Sequence, residues 1–186
     1  MKKKIVINIT KLRPLTTTKN PFLSLTHSIV YQQISTAAGN SIYKRFTALF
    51  GRKKPTPELL LSIPEQKLRE AGLSGQKVIY MQDLAKKFLD KTIDPKHFHK
   101  MSDEEIIDHL VQVKGIGVWS AHMFLIFALN RPDILPIGDL AIKKGFQKLF
   151  NLRKIPTEKK MLQIAKEFAG RRTELSLHIW DTVDPL

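Results

Sequence analysis

The spacing of apolar side chains along the chain predicts a protein built of short helices. From Phe22 onward, apolar residues recur every three or four positions, as at Leu25 and Ile29, which is the period of an amphipathic helix. About ten such segments follow one another, separated by prolines, glycines and capping residues. Only residues 5–9 favour a strand, and one strand cannot form a sheet. The predicted fold class is therefore all-α.

Residues that favour capping or termination mark the helix ends. Asn20 and Pro21 begin the first helix, which is predicted to continue through Gln33, and Ser102 with Glu105 has the spacing of a capping box. The other main helices are predicted over residues 41–50, 78–89, 106–113, 118–129 and 140–150, with a last helix from residue 173.

A turn with two glycines, Lys114-Gly-Ile-Gly117, separates two of these helices and predicts a helix-hairpin-helix over about residues 106–129. Gly115 and Gly117 permit positive φ and a close approach by another backbone. The amide groups at the start of the second helix point toward a place where a phosphate could bind. Such a turn holds a nucleic-acid backbone without reading bases. By itself, the turn also fits an ordinary pair of antiparallel helices.

The charge balance favours the nucleic-acid interpretation of this turn. The chain has 31 Lys and Arg against 17 Asp and Glu, a net charge of +14, which makes a polyanionic partner plausible. The excess is concentrated, because residues 1–57 contain eleven basic side chains and no acidic one, and residues 115–157 hold a second surplus.

Several classes of protein are excluded by what the sequence lacks. Without cysteine there are no disulfides, zinc-thiolate sites or iron–sulfur clusters. The longest strongly apolar stretch, residues 123–129, is too short to cross a bilayer, and nothing resembles a secretion signal. We therefore expect no membrane partner and a location in the cytoplasm or nucleoid, or in the nucleus of a eukaryote.

Three stretches of the sequence together resemble one known family. Residues 113–139, VKGIGVWSAHMFLIFALNRPDILPIGD, resemble the hairpin and catalytic segment of the helix-hairpin-helix (HhH-GPD) base-excision DNA glycosylases. The stretches SIVYQQIST (28–36) and RRTELSLHIWDT (171–182) are similar to the wedge segment and closing helix of its alkylation-repair branch, the enzymes like 3-methyladenine DNA glycosylase II. The resemblance extends over about residues 22–182.

This resemblance implies an architecture and an activity. One helical lobe is expected over residues 22–131 and a second over residues 1–21 plus 132–186, with a DNA-binding cleft between them. The implied activity is monofunctional hydrolysis of the N-glycosidic bond of alkylated purines, of the 3-methyladenine and 7-methylguanine type, in double-stranded DNA. It would leave an abasic site for base excision repair. The enzyme is expected to be a monomer.

The resemblance places the essential aspartate of the family at Asp139, 22 residues beyond Gly117. A purine alkylated at a ring nitrogen is positively charged and already a good leaving group, so little acid catalysis is needed. A carboxylate can stabilise the oxocarbenium-like sugar and orient or deprotonate the attacking water. Asp139 also suits the N-cap of the helix over residues 140–150. The two roles are compatible.

The other residues of the implied site come from the same match. Ile34 occupies the wedge position that fills the vacated base stack, with Gln33 beside it. Trp119 matches the family's pocket tryptophan, and Trp180, also assigned to the base pocket, matches a position in the closing helix. Met123 lies in the same pocket, where relatives carry an aromatic residue. Core packing is the alternative for Ile34 and Trp119. Trp180 is expected to belong partly to the core and partly to the pocket.

DNA phosphates are expected to contact the hairpin and two further basic residues. Family members that also nick the strand carry a lysine where this chain has Trp119, so no strand cleavage is expected. No cofactor and no catalytic metal is expected, and a monovalent cation held by hairpin carbonyls would serve phosphate binding alone. The expected phosphate-binding residues are Lys114, Gly115, Ile116, Gly117, Lys143 and Arg172.

Two other functions remain open from the sequence. One is a noncatalytic helix-hairpin-helix module that binds DNA, which the retained Asp139 argues against. The other is a glycosylase of the same fold acting on an oxidised or deaminated base.

Overall fold

The computed structural model describes residues 20–183, and this part of the chain is helical with no strand, which confirms the all-α prediction. The strand expected over residues 5–9 lies outside the described residues. None of the helices in the described range is long and apolar enough to cross a membrane. The helices are α1 (Pro21–Tyr31), α2 (Thr36–Ala48), α3 (Pro57–Ser62), α4 (Glu65–Glu70), α5 (Gly75–Leu89), α6 (Asp103–Leu110), α7 (Val118–Phe127), α8 (Leu140–Leu149), α9 (Glu158–Ala165) and α10 (Arg172–Val183), with short 3-10 helices at Pro95–Lys100 and Lys166–Phe168.

The predicted caps at residues 20 and 102 are confirmed. Asn20 accepts a hydrogen bond from the Leu23 N–H at 2.9 Å, with Pro21 in the first turn of α1. Ser102 and Glu105 form both hydrogen bonds of a capping box at the start of α6. Because these bonds satisfy amide groups that a helix leaves unpaired, they fix where α1 and α6 begin.

The prediction of a helix through Gln33 is wrong. Helix α1 ends at Tyr31, since Gln33 has a φ of 58°, in the left-handed region that a helix cannot continue through. Helix α2 begins at Thr36, five residues before the predicted start, because Ser35 caps it by accepting from the Ala38 N–H. Residues 32–35 therefore form a turn between two helices, which we call the wedge turn.

The first compact unit contains the described residues up to Phe124. In this unit, helix α5 packs against both α1 and α3. All three helices carry fully buried apolar side chains, which include Leu25, Ile29, Leu60, Met81 and Leu84. The wedge turn follows directly on α1, one of the helices that this apolar packing holds in place.

The second unit contains the described residues from Leu125 onward. Helices α8 and α10 pack closely, with Ile142, Phe146 and Ile179 in the core between them. The division falls inside α7, and the lobe boundary predicted at residue 131 stays a prediction.

The loop between α7 and α8 is attached to α10 by buried hydroxyl groups. Thr173 donates to the Arg131 carbonyl at 2.6 Å and accepts from the Ile134 N–H at 3.0 Å, while Ser176 donates to the Ile134 carbonyl at 2.9 Å. Both hydroxyl residues are almost completely buried. These bonds satisfy loop groups that would otherwise be costly to remove from water.

The packing of α8 on α10 predicts that replacing a helical glycine with alanine lowers stability, the opposite of the usual effect. A Cβ at Gly145 would overlap the side chain of Ile179. We expect Gly145→Ala to lower the free energy of unfolding by about 1–3 kcal/mol, because overpacking outweighs the better helix propensity of alanine. Urea denaturation measures the change. The matched control, exposed Lys144→Ala on the same helix, should stay within about 0.5 kcal/mol of the parent. Equal or higher stability of Gly145→Ala would show that Ile179 moves aside at no cost.

Candidate active site

Asp139 caps helix α8, as the alternative interpretation of the sequence expected. Its Oδ1 accepts a hydrogen bond from the Ile142 N–H at 2.9 Å, and its own N–H donates to the Pro136 carbonyl at 2.9 Å. The side chain is half-buried. The capping bond fixes the direction of the carboxylate, so capping and a chemical role can coexist in this geometry.

Two aromatic side chains accompany Asp139 in the second unit. The indole N–H of Trp180 donates to Asp139 Oδ1 at 3.4 Å, and the Trp180 ring stacks on Phe127 with centroids 6.0 Å apart and planes 24° apart. Trp180 is half-buried, and Phe127 is 47% exposed although it lies in a strongly apolar helix. Sequence reasoning missed Phe127, because it continues an apolar run whose other members are mostly core residues.

Arg172 is held by an ion pair at the start of α10. Its guanidinium donates from Nε to Asp133 Oδ1 at 2.7 Å and from Nη2 to the other oxygen, and its backbone N–H donates to the same carboxylate. The hydrogen bonds from Arg172 lower the pKa of Asp133 to about 2. Arg172 thus has a structural role, and its predicted phosphate contact stays a prediction. Lys143 forms a weaker pair with exposed Glu158 at 3.5 Å.

The glycine-containing turn between α6 and α7, residues 111–117, is called the hairpin turn below. Of its two glycines only Gly115 has a positive φ, 81°, and the ring of Tyr80 occupies the place where a Cβ would lie. At Gly117, nothing lies within 4 Å of where a Cβ would be, which leaves room for another backbone. The exposed Lys114 donates its backbone N–H to Asp83 Oδ2 at 2.8 Å.

One of the phosphate donors predicted in the hairpin turn, the N–H of Ile116, is already used within the protein. The Ile116 side chain is buried and its N–H donates to the Val113 carbonyl at 3.0 Å, so Ile116 packs the turn rather than presenting a donor. The hydrogen-bond ladder of α7 begins with the Ala121 N–H to the Gly117 carbonyl. The amide groups of Val118 and Ser120 precede that bond, at the end of a helix that attracts anions.

A cation at the hairpin turn would bind carbonyl oxygens that already accept hydrogen bonds. The carbonyls of Val113, Gly115 and Gly117 each accept a hydrogen bond, although a carbonyl oxygen has a second lone pair. The predicted monovalent cation stays a prediction. Among residues 20–183, no group of three or more His or carboxylate side chains is arranged to hold a metal ion.

The structure brings the predicted wedge residues next to the hairpin turn. Gln33 is exposed and Ile34 half-buried, so Ile34 is not a core residue. The Gln32 side-chain amide donates to the Gly115 carbonyl at 2.8 Å and thereby joins the two turns. Trp119 is 50% exposed, which does not agree with core packing, and Met123 lies half-buried one helical turn beyond it.

A cavity of about 470 Å³ lies between the two turns. Its lining comes from the wedge turn, the first half of α5, the hairpin turn and the start of α7. Polar side chains predominate among the lining residues, which are Gln32, Gln33, Ser74, Gln76, Lys77, Tyr80, Gly115, Trp119 and Ser120. The α5 residues of this cavity were not found from the sequence, because the apolar spacing that predicts this helix carries no information on its polar side chains.

Comparison with known proteins places this geometry in a family. The family model described as HhH-GPD superfamily base excision DNA repair protein matches residues 26–171. DNA-3-methyladenine glycosylase 1 of Schizosaccharomyces pombe is 34% identical over 166 residues, which are 88% of this chain and 73% of the relative. The DNA-3-methyladenine glycosylase of Saccharomyces cerevisiae is 35% identical over 176 residues, 90% of this chain and 59% of the relative.

Solved structures give the same result. The S. pombe 3-methyladenine DNA glycosylase in complex with abasic DNA superposes with a TM-score of 0.80 at 32% identity, covering 95% of this chain and 88% of that one. A DNA-3-methyladenine glycosidase from Bacillus halodurans gives 0.86 at 32% identity, covering 92% and 79%. The chain therefore belongs to the HhH-GPD superfamily of base excision DNA repair proteins.

The ion pair of Asp133 predicts a pH-dependent contribution to stability. We expect Asp133→Asn to lower the free energy of unfolding by about 1–2 kcal/mol at neutral pH, a value that allows for solvent screening of a partly exposed pair. The folded pKa of about 2 lies below the ordinary value of 3.8. The contribution is therefore complete above the ordinary pKa and is lost as pH falls through the folded one.

Chemical denaturation of both proteins from neutral pH down to about pH 2 measures this difference. The gap between parent and Asp133→Asn should be constant at neutral pH and should close toward the acid end. Glu158→Gln, which removes the more exposed pair with Lys143, should change stability by less than about 0.5 kcal/mol at any pH. A gap that does not depend on pH would contradict the assignment.

Proposed function

We propose that this protein is a monofunctional DNA glycosylase that hydrolyses the N-glycosidic bond of alkylated purines in double-stranded DNA and leaves an abasic site. The names of the relatives, which are 3-methyladenine glycosylases, support a substrate of the 3-methyladenine type. The proposal includes 7-methylguanine because that base also carries a positive charge on an alkylated ring nitrogen. The observation that carries the proposal is the carboxylate of Asp139, held in one direction by the Ile142 N–H and accompanied by the indole of Trp180. The protein acts as a monomer.

The substrate supplies much of the driving force for this reaction. Alkylation at a purine ring nitrogen places a positive charge on the base, so the bond to the sugar breaks without a strong general acid. The sugar then carries the developing positive charge. The carboxylate of Asp139 stabilises that charge and orients or deprotonates the water that attacks the sugar.

The hydrogen bonds to Asp139 prepare it for this role. Because the capping bond comes from the backbone of α8, the carboxylate needs no reorientation when charge develops on the sugar. Trp180 and Phe127 present aromatic surface beside it. Aromatic faces attract cationic groups and stack on bases, which suits a positively charged alkylated purine.

The two turns of the first unit hold the DNA in this proposal. The amides at the start of α7 and the side chain of Lys114 bind phosphates, which gives position without sequence preference. Gln33 and Ile34 fill the stack from which the damaged base is extruded, a step that costs a few kcal/mol. With Trp119 where a nicking enzyme has lysine, no amine attacks the sugar and the strand stays intact.

A substitution that keeps the cap separates the catalytic and structural roles of Asp139. Asn is as good an N-cap as Asp, so Asp139→Asn should leave the free energy of unfolding within about 0.5 kcal/mol, whereas Asp139→Ala should lower it by about 1 kcal/mol. Both should slow release of methylated bases by about 100-fold or more, because neither side chain carries the negative charge. Single-turnover release assays and urea denaturation measure the two effects.

Binding to abasic DNA is the control, and it should stay within about threefold for Asp139→Asn since the phosphate contacts remain. A noncatalytic DNA-binding module would show the same binding with no base released by either protein.

A panel of damaged DNAs tests the class of substrate. We expect release of 3-methyladenine and 7-methylguanine to be faster than release of hypoxanthine or 8-oxoguanine. Only the methylated bases carry a positive charge in DNA, and that charge is neutralised when the bond to the sugar breaks. No strand cleavage should occur without heat or alkali. Chromatography of released bases and denaturing gels measure both outcomes. Preferential release of a neutral oxidised base would reject the proposed leaving-group chemistry.

A further inference from the structure

One face of helix α5 holds both DNA-contacting turns. Lys77, Tyr80 and Asp83 are spaced three residues apart, so they lie along the same side of the helix. Lys77 contacts the wedge turn, while Tyr80 and Asp83 contact the hairpin turn. All of these contacts lie within the first compact unit.

Lys77 closes the end of α1. Its Nζ donates to the Val30 carbonyl at 2.6 Å and to the Gln32 carbonyl at 2.9 Å. The last carbonyls of a helix lack partners within the helix, and a cation there also opposes the negative end of the helix dipole. Burial lowers the pKa of Lys77, so keeping the ammonium here has a desolvation cost, which the two carbonyls offset.

Contacts from α5 also shape the hairpin turn. The ring of Tyr80 fills the space beside Gly115, and Asp83 accepts the backbone N–H of Lys114. Across a separation of 83 residues, the Gln32 amide then donates to the Gly115 carbonyl. The wedge turn is therefore tied to the hairpin turn both directly and through α5.

We propose that Gln32 and Lys77 are positioning residues that hold the wedge turn at a fixed distance from the hairpin turn. The binding of DNA phosphates at the hairpin turn then also pushes the wedge residues into the base stack. The inference rests on the proposed glycosylase function. Extruding a paired base costs a few kcal/mol, and a rigid connection lets phosphate binding supply it. A loose wedge turn would have to be ordered during extrusion, at the expense of the same binding energy.

This role predicts a defect that depends on the state of the substrate. Neither residue is placed at the bond that breaks. Their loss should therefore slow excision where the base must leave an intact stack, and spare it where the base is already unpaired. A substitution that only damaged the fold would slow both reactions equally.

The test uses 7-methylguanine in two duplexes, one with cytosine opposite the lesion and one with an abasic site opposite it. Single-turnover excision is measured for Gln32→Leu and Lys77→Met. Each should be slowed at least about tenfold on the paired lesion and less than about threefold on the unpaired one, because only the paired lesion carries the full cost of extrusion. Lys77→Arg retains donors for both carbonyls and should recover most of the paired rate.

Lys86→Met is the matched control, because Lys86 is exposed on the same helix, lies outside the lining of the cavity and contributes to none of the contacts described here. It should excise both lesions at the parent rate. Equal slowing on the two duplexes, or no slowing by Gln32→Leu and Lys77→Met, would overturn the inference.

A second readout separates this inference from the proposed function. Fluorescence of 2-aminopurine placed beside the lesion rises when wedge insertion disrupts the stack, whether or not a base is released. If the parent protein raised the fluorescence but released no base, the proposed function would fail while the inference stood. If Gln32→Leu and Lys77→Met raised the fluorescence as much as the parent does, the inference would be overturned and the proposed function would stand.

Discussion

The approach of Gly115 to the ring of Tyr80 is the contact on which the DNA-binding part of this fold depends. A side chain at residue 115 would collide with the ring and would also be strained at a φ of 81°. With glycine there, the hairpin turn lies directly on α5, where Asp83 and Gln32 can reach its backbone. One residue without a side chain thus allows three separate elements to meet.

Asp139 shows how a structural requirement can serve a chemical one. The N-cap of α8 needs an oxygen aimed at the helix, and the proposed reaction needs a negative charge whose direction does not change. The same hydrogen bond from the Ile142 N–H meets both needs. The indole of Trp180 adds a second donor from a different helix, so the orientation does not depend on α8 alone.

The sequence predicted those features that depend on local chemistry. The helical class, the caps at Asn20 and Ser102, and the positive φ available to Gly115 all follow from periodicity and side-chain type. The predicted end of α1 was wrong, because no residue near Gln33 in the sequence favours a left-handed conformation there. That conformation is helped by Lys77, which is distant in sequence and bonds the carbonyls before it. Phe127 and the α5 face were missed for a similar reason, since their roles arise from tertiary neighbours.

The attachment of residues 131–134 to α10 has a consequence for the segment that carries Asp139. Although irregular, this part of the loop has its backbone groups bonded to the buried hydroxyls of Thr173 and Ser176. It can open only when α10 leaves the core of the second unit. Its Ile134 amide should therefore exchange hydrogen with solvent as slowly as the interior of a helix, and a protease should find no site there in the native protein.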